Sequence, residues 1–86
     1  MFYNYVELED STQIAYSNVL DDNVVEVSIE RPIDLGFDSA RCLLPAFEWT
    51  DVKGFADSDM AYLDTFIHNN APLIMRLARE ASKSYA

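Results

Sequence analysis

The stretch VVEVSIER, residues 24–31, alternates between apolar and polar side chains and decides how the chain folds. Val25, Val27 and Ile29 fall on one side of an extended chain, and the intervening glutamates fall on the other. A period of two residues is typical of a β-strand with one face packed on a core. The pattern therefore predicts a half-buried strand whose acidic face meets either solvent or a partner.

Similar patterns on both sides of this stretch predict further strands. FYNYVELED (2–10), TQIAYSNVL (12–20) and FDSARCLL (37–44) are rich in β-favouring residues and are separated by turn-forming ones. In the first of these, the alternation predicts that Tyr3, Tyr5, Glu7 and Glu9 share one face. AFEWTDVKGF (46–55) has aromatic residues without a clear period, which predicts an irregular connection. We expect an antiparallel sheet of three to four strands.

The remainder of the chain has the pattern of an amphipathic helix. Asp57 or Ser58 can cap its start, and apolar residues then recur at spacings of three and four: Met60, Leu63, Ile67, Ala71, Ile74, Ala78 and Ala81. Pro72 interrupts this pattern, so we expect the helix to be kinked or broken there. The predicted fold is α+β, a single domain over residues 1–86, with a sheet region at 1–55 packed on one face by helix at 57–84.

Composition restricts the class of protein. The chain has 86 residues, half of them hydrophobic, and its 15 acidic and six basic residues give a formal charge of −9. Such a surface repels phosphates, so we expect no direct binding of nucleic acid. No apolar run is long enough to span a membrane, and the first residues lack the pattern of a secretory leader. One cysteine cannot form an intramolecular disulfide, which favours the cytoplasm.

The sequence offers little to a catalytic mechanism. Asp64 lies four residues before His68, so on a helix the two can pair, as they would in a small hydrolase. No serine, and not Cys42, stands in a motif for an activated nucleophile, and the two glycines are too far apart for a phosphate-binding loop. We therefore predict that the protein is not an enzyme, and we expect no catalytic residues, no metal site and no cofactor.

Charge is distributed unevenly along the chain. Residues 1–64 contain fourteen acids and three bases, whereas residues 65–86 contain one acid and three bases. Carboxylates two residues apart on a strand are about 6.6 Å apart, a spacing that resembles successive phosphates of a nucleic acid. The acidic face is either a solvated surface or a partner-binding one. In the second case the predicted contact residues are Tyr3, Tyr5, Glu7, Glu9, Asp21, Asp22, Glu26 and Glu30.

These observations lead to two main hypotheses. The first is a bacterial or phage protein-binding module, acting as a stoichiometric inhibitor or adaptor that covers a basic surface. A nucleic-acid-processing enzyme is a suitable target, as for an anti-restriction protein or an anti-CRISPR inhibitor of a CRISPR effector, and an antitoxin has the same logic. The alternative is a structural domain that forms a homodimer or a larger homo-oligomer.

Overall fold

The computed structural model describes residues 1–83 and contains one sheet and one long helix. The five strands form an antiparallel sheet in chain order, and the helix follows them. The α+β class and the C-terminal helix are confirmed, whereas the expected three to four strands were too few. Residue 84 of the predicted helical region lies outside the described residues. The elements are β1 (Phe2–Glu7), β2 (Gln13–Ser17), β3 (Val25–Ile33), β4 (Gly36–Leu44), β5 (Glu48–Lys53) and α1 (Asp57–Lys83), with a short 3-10 turn at Asp21–Asn23.

The strand containing VVEVSIER lies at the centre of the sheet, between β2 and β4. Val25, Val27 and Ile29 are fully buried. They pack with Ile14, Cys42 and Leu44 of the neighbouring strands against the buried side of α1. That side consists of the predicted apolar positions Leu63, Ile67, Ala71, Ile74 and Ala78. The alternation in residues 24–31 therefore correctly indicated which face is buried.

The segment predicted to be an irregular connection contains β5. Trp49 lies opposite Cys42 and Lys53 lies opposite Ser39, so the segment pairs with β4 along its length. A register shift interrupts the pairing, and Asp51 adopts a positive φ of 51°. An inserted residue shifts every later side chain to the other face, which removes the period of two from the sequence.

The predicted kink or break at Pro72 is wrong, because α1 continues from Asp57 to Lys83 as one helix. Proline removes the hydrogen bond to the carbonyl of His68, at a cost of about 3 kcal/mol. Pro72 and His68 both lie on the exposed side of α1, where water can reach that carbonyl. Ala71 and Ile74 are buried against the sheet on either side of Pro72, and this packing offsets the cost.

A bulge in β1 overturns one predicted face. Tyr3 lies opposite Tyr16 and Glu7 lies opposite Gln13, with a register shift between Asn4 and Val6. Tyr16 is a core residue and Gln13 is exposed, so the two ends of β1 present opposite faces. The prediction that both tyrosines share a face with Glu7 is therefore wrong, because the bulge adds one residue to the alternation.

Candidate functional site: the acidic end of the molecule

Negative charge is concentrated at one end of the molecule rather than over one face of the sheet. This end is formed by the β1–β2 turn, the β3–β4 turn, the end of β5 and the start of α1. Among residues 1–83, its bases are Arg31 and Lys53. We call it the acidic end, and its carboxylates are Glu7, Glu9, Asp10, Glu30, Asp34, Asp38, Asp57 and Asp59.

The opposite end of the molecule is nearly balanced in charge. The 3-10 turn and the β4–β5 turn lie at this end of the sheet, and the backbone N–H of Val19 donates to the hydroxyl of Ser82 near the end of α1 at 2.8 Å. At this end, basic residues of α1 lie near acidic residues. The acids are Asp21, Asp22, Glu26, Glu48 and Glu80, and the bases are Arg41, Arg76, Arg79 and Lys83. The excess of negative charge is therefore at the acidic end.

Arg31 holds the acidic end together. Its Nε and Nη2 donate to Oδ2 of Asp38 at 3.0 and 2.7 Å, and its Nη1 and Nη2 donate to Asp59 at 3.3 and 3.2 Å. Asp10 lies 3.7 Å away, and the guanidinium stacks over the Phe55 ring at 4.8 Å. One side chain thereby joins the two central strands, the β1–β2 turn and the start of α1.

The carboxylates around Arg31 are also fixed by backbone groups. Asp59 accepts a hydrogen bond from the N–H of Ala56, so Ala56 occupies the N-cap position of α1 and Asp57 lies inside the helix. Asp10 accepts from the N–H of Thr12. The hydrogen bonds from Arg31 and Ala56 lower the pKa of Asp59, and those from Thr12, with the Arg31 charge, lower the pKa of Asp10. Hydrogen bonds to Asp59 and Asp38 raise the pKa of Arg31.

An open groove of about 610 Å³ adjoins this network. Apolar and aromatic side chains lie next to carboxylates along it, an arrangement that suits the aliphatic stem and charged head of a lysine or arginine. Its apolar lining comes from Leu8, Phe55, Tyr62 and Leu63, and its carboxylates are Glu7, Glu9, Asp10 and Asp59. Arg31 also lines the groove and already pairs with Asp10 and Asp59.

Three of the eight predicted contact residues belong to the acidic end. Glu7 and Glu9 line the groove. Glu30 is exposed on the outer face of the sheet, opposite Gln13 on one side and Ser39 on the other. Their role in binding stays a prediction.

The other five predicted residues lie elsewhere. Asp21 and Asp22 form the 3-10 turn at the balanced end, where Glu26 makes an ion pair with Arg41. Tyr3 stacks on Tyr16 at 5.5 Å between ring centres. Tyr5 donates its hydroxyl to Oδ1 of Asn70 on α1 at 2.6 Å, and its burial raises its pKa. The eight residues therefore do not form one surface.

Sequence reasoning missed Asp10, Arg31, Phe55, Asp59 and Tyr62 as members of this site. They come from three stretches of the chain, around residue 10, around residue 31 and at 55–62, which are distant from one another in sequence, so no spacing connects them. One signal was present: Arg31 is the first base in the chain and follows seven acids. A lone base among so many carboxylates is the expected partner for several of them.

The Asp64–His68 pair joins α1 to the β4–β5 turn. His68 Nδ1 lies 2.8 Å from the backbone oxygen of Asp64 and 3.5 Å from its carboxylate, and its ring stacks on Phe47 at 3.7 Å. Asp64 also accepts a hydrogen bond from the indole N–H of Trp49 at 2.9 Å. These contacts hold two aromatic side chains against the helix.

Cys42 is a buried thiol. Burial, with the nearby charge of Asp64, raises its pKa to about 11, so it is protonated at neutral pH. Within residues 1–83, no three side chains of His, Cys, Asp or Glu are arranged to hold a metal ion. Nor does any helix in that range combine the length and the hydropathy needed to cross a bilayer.

Comparison of the chain with protein-family models, with curated proteins and with solved structures found no match.

Proposed function

We propose that the chain is a non-enzymatic protein-binding module that covers a basic surface of another protein with its acidic end. One observation carries this proposal: eight carboxylates lie at one end of the molecule beside two bases. The pairing of Arg31 with Asp38 and Asp59 leaves Glu7, Glu9, Glu30, Asp34 and Asp57 exposed there. A one-signed field of this kind steers a partner of opposite charge.

The groove beside Arg31 supports a specific contact in addition to a general attraction. Glu7 and Glu9 line it and are exposed, and Tyr62, which is 60% exposed, supplies aromatic surface that Arg31 does not cover. Aromatic residues are enriched in protein interfaces, and a carboxylate beside an aromatic ring favours a cationic side chain. A lysine or arginine of the partner fits this site.

A protein that binds nucleic acid is the class of partner we propose. Such proteins expose clustered lysines and arginines for phosphates, and an acidic domain can compete for them. The chain would then act as a stoichiometric inhibitor or adaptor.

The proposal is tested with two double variants of equal charge. Glu7→Lys with Glu9→Lys changes the acidic end, and Asp21→Lys with Asp22→Lys changes the balanced end; all four side chains are exposed. The probe is a short fluorescent arginine-rich peptide, titrated at low and at physiological salt. We expect the first variant to weaken binding about tenfold or more and the second by less than about threefold.

Equal weakening by both variants would overturn the proposal, because it would show an attraction set by net charge alone. Thermal unfolding of both variants is the control for folding. Exposed substitutions usually change the free energy of unfolding by less than about 0.5 kcal/mol.

A further inference from the structure

The β3–β4 hairpin extends past its neighbours at the acidic end. Pairing of β3 with β2 stops at Glu30, and pairing of β4 with β5 stops at Ser39. β3 and β4 continue together for three more residue pairs, ending at Ile33 and Gly36. At about 3.3 Å per residue, this two-stranded segment extends about 10 Å beyond the neighbouring strands.

The tip of this hairpin is apolar and exposed. Ile33 is 49% exposed, Leu35 is 107% exposed and Phe37 is 63% exposed. In the register of the hairpin, Ile33 lies on the helix side and Phe37, opposite Pro32, lies on the outer side. Single exposed apolar residues are common, but here three lie within five residues at the end of one projecting hairpin.

Leu35 adopts a backbone conformation that is unfavourable for leucine. Its φ is +69°, in the left-handed region that glycine or asparagine usually occupies, at a cost of roughly 1–2 kcal/mol. Because its side chain is fully exposed, no burial within the described chain compensates for this cost. Strain of this kind concentrates at binding sites, where another molecule uses the side chain.

We propose that this tip, made of Ile33, Leu35 and Phe37, inserts into an apolar cleft of the partner protein whose rim carries lysine or arginine. The inference rests on the proposed function and names the partner surface in more detail. Asp34 lies within the tip and Glu30 lies just behind it, so the apolar side chains are flanked by negative charge. Charge complementarity therefore requires a basic rim, and the apolar tip requires a cleft.

A second copy of the chain is a poor occupant. Two tips in contact would bring two acidic ends together, and like charges placed opposite each other cost several kcal/mol. An anionic membrane would repel the acidic end for the same reason.

The test uses a photocrosslinking amino acid in the full chain, in the cells that encode it. Leu35→p-benzoylphenylalanine places the crosslinker at the tip, and Leu73→p-benzoylphenylalanine is the matched control. Leu73 is an exposed leucine, 46% exposed, on α1 away from the acidic end. We expect position 35 to yield an adduct that position 73 does not, with the crosslinked peptide apolar and flanked by lysine or arginine. The adduct should diminish at high salt.

Four results would overturn the inference. These are an adduct with a second copy of the chain, an adduct with lipid, an adduct with a peptide that lacks nearby basic residues, and no adduct at position 35 beyond that at position 73.

Binding of the crosslinked partner, once purified, separates this inference from the proposed function. We expect Leu35→Asn to raise Kd about tenfold or more, since asparagine tolerates the left-handed conformation but removes the apolar contact. If Glu7→Lys with Glu9→Lys weakens binding and Leu35→Asn does not, the inference fails and the proposed function stands. If Leu35→Asn weakens binding and the charge reversal does not, the proposed role of Glu7 and Glu9 fails and the apolar contact of the tip stands.

Discussion

Gly54 lies directly against the carboxylate of Asp38. A Cβ atom at position 54 would stand 1.9 Å from Oδ1 of Asp38, and the φ of Gly54 is +88°, which side chains rarely adopt. Asp38 is buried and accepts two hydrogen bonds from Arg31 through its other oxygen. Glycine is therefore required at position 54 for two reasons: its backbone conformation, and the space that the carboxylate of Asp38 occupies.

We predict that Gly54→Ala lowers the free energy of unfolding by about 2–4 kcal/mol. The added Cβ must displace Asp38, which disturbs the ion pair with Arg31 in a site with little water. Urea unfolding followed by circular dichroism measures the loss. Gly36→Ala is the matched control, because no atom lies within 4 Å of its added Cβ. Equal effects of the two variants would contradict this account of Gly54.

A second prediction concerns the pairing of Arg31. Arg31→Met leaves the buried Asp38 without its cationic partner, and we expect a loss of about 2–3 kcal/mol at neutral pH. This loss in the free energy of unfolding should be smaller at acidic pH. The pKa of Asp59 is held below its ordinary value of 3.8, chiefly by Arg31, so its contribution to stability is complete above that pH. It disappears as the pH falls through the lowered pKa.

The measurement is the free energy of unfolding of the wild-type chain and of Arg31→Met at about pH 7 and about pH 3. We expect the difference between them to narrow at the lower pH. Arg76→Met serves as the control, since Arg76 is exposed on α1, and its effect should be small at both pH values. A difference that is the same at both pH values would refute the electrostatic role of Arg31.

Short-range patterns in the sequence correctly predicted the buried faces of single strands and helices. The alternation in residues 24–31 identified the buried face of β3, and the spacing of Leu63, Ile67 and Ile74 identified the buried side of α1. Both patterns arise because one side of each element must leave water. Neither depends on knowing which segments meet in space.

The sequence did not show which segments of the chain meet in space. The bulges in β1 and β5 shift the alternation by one residue, and no residue type in either strand indicates a bulge. The acidic end forms because an antiparallel meander returns every second turn to the same end. Glu26 and Glu30 stand four residues apart on one predicted face, yet Glu26 pairs with Arg41 towards the balanced end while Glu30 belongs to the acidic end.

Pro72 provides a third prediction. Pro72→Ala restores the N–H that can donate to the carbonyl of His68, and it removes no buried contact because Pro72 is exposed. We expect the free energy of unfolding to rise by about 1–3 kcal/mol, up to the difference in helix propensity between proline and alanine. Thermal unfolding checks the change. Leu73→Ala, at the adjacent exposed position, should have a small effect, and a destabilised Pro72→Ala would show that the proline ring packs favourably.

The last prediction concerns the free energy that the backbone conformation of Leu35 costs the folded chain. Leu35→Gly and Leu35→Ala remove the same exposed apolar surface, but only glycine is relaxed at a φ of +69°. We expect Leu35→Gly to be more stable than Leu35→Ala by about 1 kcal/mol, and the alanine variant to match the wild-type chain within about 0.5 kcal/mol. Chemical denaturation of the three proteins gives both differences. A glycine variant no more stable than the alanine variant would mean that position 35 is unstrained. If glycine is more stable, the leucine lowers stability without contributing to the core, which is the expected property of a side chain used by a partner.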